Sequence, residues 1–184
     1  ERAPAFRAYL NVLSRTDPTP LSRAEQLAFW INAYNAYTIQ QVNAHGERRS
    51  IKNINKAGGL ISLGGAWKEA MATVGGTRYT LDQIEHERIR PVFREPRVHF
   101  ALVCAALGCP PLRSEAYRAA DLEQQLDDQA RAFLFRSPGK NRMDVAKRAV
   151  WLSPIFKWYR QDFGASDAAM QQALAALFPA GAER

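Results

Sequence analysis

The segment SRAEQLAFWINAYNAYTIQQVN, residues 22–43, decides how the rest of the chain must be arranged. Ser22 and Glu25 have the spacing of a capping box, in which a hydroxyl and a carboxylate satisfy the first free amides of a helix. From there Leu27, Trp30, Ile31, Tyr34, Thr38 and Val42 fall on one face of a helical wheel. Ala28, Phe29, Ala33, Ala36, Tyr37 and Ile39 leave little polar surface on the others, so the helix is expected to be central and buried. Asn32 and Asn35 interrupt this apolar cylinder. A buried amide left without partners costs on the order of 1 to 3 kcal/mol, so each must bond to backbone or to another polar side chain. They either tie neighbouring loops to the core or complete a catalytic site by orienting an imidazole.

Outward from this helix, His45 reads as a C-terminal cap interacting with the helix dipole. The glycine-rich, Trp67-containing stretch over residues 53–76 reads as loop or short helix covering one side of the core. Its glycine pairs lack the strand-to-helix spacing of a phosphate-binding loop. A short strand at residues 78–80 leads into a second capping box, Thr80 with Gln83, and a helix that Pro91 is expected to end. Residues 98–104 alternate branched and aromatic side chains and read as a strand. Leu122, Leu126, Ala130, Phe133 and Leu134 mark an amphipathic helix, and residues 143–152 a hairpin. Ser153-Pro154 opens another helix, and Ser166 caps a terminal one that stops near Pro179. The expected fold is helix-rich α+β in a single domain over residues 1–184, with the buried N-terminal helix packed on a small, mostly antiparallel sheet.

The chain of 184 residues is 47% hydrophobic and 23% charged, an ordinary globular composition. No apolar run approaches the roughly 20 residues that cross a bilayer, so no transmembrane segment is expected. The chain begins at Glu1, which suggests that an N-terminal piece, such as a signal peptide, has been removed. A net charge of +7 comes from dispersed basic residues with no nucleic-acid motif, which excludes nucleic acid as the expected partner. An anionic envelope component or a peptide-like substrate remains.

Chemistry concentrates in residues 85–111, which hold both cysteines and two of the three histidines. One reading makes Cys104, at the end of its strand, a nucleophile with His86 as general base and Asp82 or Glu85 setting the imidazole tautomer. His99 and Cys109 are secondary candidates. His99 and Cys104, on opposite faces of an extended strand, would lie about 16 to 17 Å apart and could not pair. A zinc site from His86, His99, Cys104 and Cys109 fits poorly, because the cysteine spacing only reaches the edge of the usual range. Arg90 also stands where a metalloprotease helix would place its second histidine. No metal or other cofactor is therefore assigned. A third reading is a Cys104–Cys109 disulfide, which needs an oxidising compartment and removes the thiol.

Four motifs in order resemble one family: Phe29 to Ala36, Ile84-Glu85-His86, and Arg97 to Leu102 with Cys104 and Cys109-Pro110-Pro111. The fourth is Leu152-Ser153 followed by Phe156-Lys157-Trp158-Tyr159 and Asp162-Phe163. Together, over about residues 21–163, they resemble the domain of unknown function family 547, found in bacterial envelope proteins and as a C-terminal module in plant proteins. The resemblance implies that Asn32, Asn35, Glu85, His86, His99, Cys104 and Cys109 occupy motif positions, and that the protein is periplasmic or secreted. It assigns no reaction. Two functions fit these residues. One is a thiol-dependent hydrolase or acyl transferase, using Cys104, His86, Glu85, Asn32 and Asn35 in a layout loosely like papain. The other is a noncatalytic binding module with a Cys104–Cys109 bridge and a basic surface for an anionic partner.

Overall fold

The capping box at Ser22 is formed: its hydroxyl accepts from the Glu25 amide, and the Glu25 carboxylate accepts from the Ser22 amide at 2.8 Å. From it runs α2 (Arg23–Ala44), 22 residues closed by His45 at the C-cap. In this computed structural model, residues 4–54, 65–106, 108–137, 139–144, 146–147, 149–164 and 166–176 are described. The expectation for the glycine-rich stretch over residues 53–76 lies outside them at residues 55–64, as does that for Pro179. Leu27, Trp30, Ile31, Ala33, Tyr34 and Tyr37 are all buried, so α2 is the axis of the larger apolar cluster.

A helix that the sequence reading did not anticipate, α1 (Pro4–Arg15), packs Leu10 and Leu13 into the same cluster. It also packs against an antiparallel ribbon of β1 (Ala72–Val74) and β2 (Thr77–Tyr79), which follow α2 in the chain. The connection Gly75-Gly76 has positive φ at both residues, 55° and 78°, the geometry that matches strand twist in a two-residue hairpin. The Gly76 amide donates to Ser14 O at 2.8 Å, fastening the ribbon to α1. The Tyr37 hydroxyl donates to Thr73 O, fastening it to α2.

Thr80 and Gln83 form the second capping box and start α3 (Leu81–Gln83). The chain then widens into a π-helical turn, Ile84–Ile89, and tightens again into α4 (Arg90–Phe93), where Arg94 turns left-handed with φ 50°. Pro91 therefore does not end the helix as expected. It falls in the first turn of α4, where its missing N–H removes little, and the π turn before it absorbs the mismatch.

Residues 98–104 are not a strand either. They form a short α5 (Val98–Ala101) followed by extended chain from Leu102. Val98, His99, Phe100 and Ala101 are all buried, so the alternation marked no sheet face, and a short apolar run does not separate buried helix from strand. After α6 (Leu122–Phe135), the second expected hairpin is present as β3 (Arg142–Asp144) and β4 (Ala149–Trp151), also antiparallel. Three short helices follow: α7 (Ile155–Trp158), α8 (Arg160–Phe163) and α9 (Asp167–Ala175), the last capped by Ser166 as expected.

The architecture is helix-rich α+β as expected, and among the described residues the strands form two small antiparallel ribbons of two strands each. A second apolar cluster forms where α5, α6, α7 and α8 meet. In it Phe100 lies between Phe133, Phe156 and Phe163, with centroids 5.5, 5.8 and 5.6 Å away. The seam between the two clusters holds the polar groups of the candidate site.

Candidate functional site

Consecutive residues of the π turn face opposite ways. Glu85 points into the seam at 5% exposure, while His86 remains accessible beside it. The extra residue per turn of a π helix displaces side chains from ordinary α-helical positions, which is one reason such turns recur at functional sites. Tyr34, from the middle of α2, donates its hydroxyl toward Glu85 Oε2 at 3.4 Å. Tyr159, between α7 and α8, bonds to the same carboxyl. Trp67 also bonds to the Tyr34 hydroxyl. Burial pushes the Glu85 carboxyl above the usual carboxylate range, and the tyrosine bonds with the nearby His86 and Arg90 only partly oppose it. The two tyrosine hydroxyls are themselves pushed up, first by burial and then by the Glu85 charge.

Beneath Tyr159 lies His99, its ring stacked at 3.8 Å between centroids and its Nε2 at 2.7 Å from Asp162 Oδ2. An ionised carboxylate only accepts, so Nε2 carries the proton. Burial lowers the His99 pKa to about 4, outweighing the Asp162 carboxylate, so the imidazole is neutral near pH 7. Asp162 also receives a two-pronged bond from Arg90, at 2.6 Å from Nε and 3.1 Å from Nη2. The Asp162 pKa is lowered: the Arg90 and His99 bonds outweigh burial, which is the largest single influence and acts upward. Arg90 Nη1 donates to His86 Nδ1 at 2.6 Å, and His86 Nε2 faces Asp82 Oδ1 at 3.4 Å. One polar chain thus runs from His99 through Asp162 and Arg90 to His86 and Asp82, with Glu85 alongside.

Asp82, Glu85, His86 and Tyr159 line a cleft of about 410 Å³ together with Lys52, Trp67, Cys104, Ala106 and Trp158. Its rim carries Trp158, half exposed, with the Lys52 ammonium 5.4 Å from the ring centroid. A second groove, of about 490 Å³, lies on the other side of His86 and Arg90.

The structure brings Glu85, His86, Asp82 and Cys104 to this one cleft. It also places His99 and Cys104 on a single small cavity with Tyr34, Glu85 and Tyr159, correcting the expectation that a strand would hold them apart. The helical turn of α5 folds back the distance that an extended chain would have opened. Cys104 is bonded to Cys109, with Cα atoms 5.9 Å apart, so neither is a free thiol. The expected nucleophile is therefore held in a disulfide. Glu85 bonds to the tyrosines, and Asp82 is the carboxylate facing His86.

Asn32 and Asn35 stand apart from the imidazoles. Asn32 donates to Tyr117 O at 2.8 Å and accepts from Tyr117 N at 2.9 Å. Asn35 donates to Ala101 O at 3.0 Å and accepts from Val103 N at 2.9 Å. Both amides tie loops to α2, and Asn35 holds the segment that carries Cys104. Among the described residues, no group of three or more His, Cys, Asp and Glu side chains is placed to hold a metal ion.

The sequence reading did not single out Tyr34, Lys52, Trp67, Arg90, Trp158, Tyr159 or Asp162 as site residues. Trp158, Tyr159 and Asp162 lie within the fourth motif and Tyr34 within the first, which was the available signal. Tyr34 looked like any other core aromatic. The sequence model of a family described as "Protein of unknown function, DUF547" matches residues 18–134, well over half of the chain. No curated protein and no solved structure matches it.

Proposed function

This chain belongs to the DUF547 family, and we propose that it is an extracytoplasmic binding module that takes an anionic group of its partner into the cleft beneath Trp158. The Cys104–Cys109 bridge carries this reading. It stiffens one wall of the cleft, withholds a resting thiol, and suits an oxidising compartment. The wider basic surface is less available than its charge suggests. Arg97 is engaged by Glu95, Glu123 and Asp127, Arg90 by Asp162, and Arg160 by Asp167. Lys52 instead presents its ammonium over an exposed indole at the cleft rim, and this cation with an aromatic wall favours a carboxylate or phosphate attached to an apolar body.

Titration of the bridged protein with acidic peptides, followed by tryptophan fluorescence at two salt concentrations, tests the reading. Saturable binding that weakens with salt and falls at least tenfold in both Lys52→Ala and Trp158→Ala supports it. Equal binding by neutral peptides, or no effect of either substitution, rejects it.

One observation favours a second reading, a thiol-dependent hydrolase or acyl transferase: Cys104 lines the same cleft as Glu85 and His86. This activity requires the bridge to open, after which His86 must exchange its Arg90 contact for the thiol. Turnover of a simple ester by the reduced protein, abolished in Cys104→Ser, supports it. Inertness of the fully reduced, folded protein rejects it.

A further inference from the structure

We propose that the Cys104–Cys109 bridge is redox-active, exchanging with thiols that enter the cleft, with Cys104 as the attacked sulfur and Glu85 as the proton carrier. This goes beyond the binding reading and does not depend on it. Three independent features point the same way.

Access is unequal. Cys104 is half-buried and lines the cleft, whereas Cys109 is 2% exposed and does not line it. A thiol arriving from solvent therefore meets the Cys104 sulfur first, and Cys109 is the leaving group. The Lys140 ammonium donates to the Cys109 carbonyl, placing positive charge beside the residue that must depart as a thiolate.

The loop is held open-ended by contacts other than the disulfide. Val103 N donates to Asn35 Oδ1 at 2.9 Å, Ile51 N donates to Ala105 O at 3.1 Å, and Ser153 Oγ donates to Gly108 O at 2.9 Å. Between these ties Ala105 adopts a left-handed φ of 49°, disfavoured for a residue with a Cβ. Opening the bridge thus leaves both cysteines anchored near their bonded positions by α2, by the Ile51 amide and by Ser153. A dithiol kept at that spacing closes again rapidly, as an exchange centre needs and a purely structural staple does not.

A buried carboxyl serves the proton. Glu85 borders both the cleft and the small cavity behind Cys104, and it is reached by the hydroxyls of Tyr34 and Tyr159. The exchange balances with a dithiol as reductant. The first thiol gives its proton to the Glu85 carboxylate, and its sulfur bonds to Cys104 Sγ. The Cys104–Cys109 bond breaks with its electron pair on Cys109, which departs as a thiolate and is protonated by solvent, while Glu85 keeps its proton for Cys104. The second thiol then attacks the sulfur of the first, and Cys104 leaves and is protonated. Two electrons and two protons have passed to the cysteines, and the dithiol has become a disulfide.

The test uses dithiothreitol as the dithiol, acid quenching, alkylation and intact mass, on the native protein across low guanidinium concentrations. The expected result is reduction at a rate flat in denaturant below the unfolding transition, since no unfolding is needed. Glu85→Gln should reduce at least tenfold more slowly at pH 7 and lose the wild-type pH dependence, while Asp121→Asn keeps the wild-type rate. In addition, glutathione should form its mixed disulfide on Cys104 in the wild-type protein. A rate that climbs with guanidinium from the lowest concentrations, a mixed disulfide on Cys109, or a wild-type rate in folded Glu85→Gln would each overturn the proposal. The guanidinium arm needs only the wild-type chain, so it decides even if Glu85→Gln fails to fold. Loss of exchange would leave the binding of acidic peptides by the bridged protein untouched, so the two ideas fail separately.

Discussion

The two apolar clusters bury their polar groups in opposite ways. Around α2, Asn32 and Asn35 bond to main chain from elsewhere in the fold, and so does Gln41, which donates to Ala66 O. Where the aromatic cluster of Phe100, Phe133, Phe156 and Phe163 meets α2, Glu85, His99, Arg90 and Asp162 bond chiefly to other side chains. Amides that complete backbone bonds fix loop positions and have no second protonation state. Ionisable groups that complete one another can trade protons, and their energies depend on pH. The first cluster is built to hold the chain, and the seam where the second meets it to respond.

The largest effect is expected in the second cluster itself. Phe100 is fully buried and touches three other phenylalanine rings, so Phe100→Ala should cost about 4 kcal/mol in urea unfolding. A cost below about 1 kcal/mol would show that the aromatic cluster is only loosely closed and break the distinction.

Next comes the pH dependence assigned to His99. Its folded pKa of about 4 lies below the ordinary 6.5, so the unfolded chain takes up the proton first. Stability is therefore lost as pH falls from above 6.5 toward 4, by about 3 kcal/mol from this group. Glu85, shifted upward, acts with the opposite sign on acidification, so the measurement compares wild type with His99→Gln. The wild type should lose about 3 kcal/mol more than the variant between pH 7 and 4. Equal losses would mean that His99 is charged against Asp162 in the folded protein.

For the first cluster, Asn35→Ala leaves Ala101 O and Val103 N without their partner and should cost about 2 kcal/mol. That cost should be the same at pH 7 and pH 5, because no proton is involved; a pH-dependent cost would join Asn35 to the responsive network. The smallest effect is expected at the surface. Arg118 pairs with Asp121 but remains 71% exposed, so Arg118→Ala should change stability by less than about 0.5 kcal/mol in the same assay. A larger effect would place Arg118 in a network that its geometry does not suggest.

Much of the fold was legible because its signals are local. The boxes at Ser22 and Thr80, the Ser166 cap, the apolar wheel of α2 and the second hairpin follow from short-range spacing of hydroxyls, carboxyls and apolar side chains. The failures share a cause. Residues 98–102 are all buried, so the pattern of this segment lost the periodicity that separates helix from strand. Pro91 has the local signature of a stop because sequence shows a missing donor but not the π turn that makes it harmless. At the site, the chemistry-bearing residue types drew attention to Glu85, His86, His99 and Cys104. Tyr34, Arg90, Tyr159 and Asp162 escaped because each has an ordinary role until its partner is known.

By itself the sequence determined the central helix, its caps, the crowding of titratable groups into residues 85–111 and the family. Those properties reside in composition and in spacings of a few residues, which local physics reads directly. Only the tertiary structure decided that the two cysteines are joined, that both asparagines face backbone, and that His99 reaches Asp162 across 63 positions of chain. Each of those outcomes depends on where a distant segment comes to rest, and burial, which sets protonation, exists only once the chain has closed around the group.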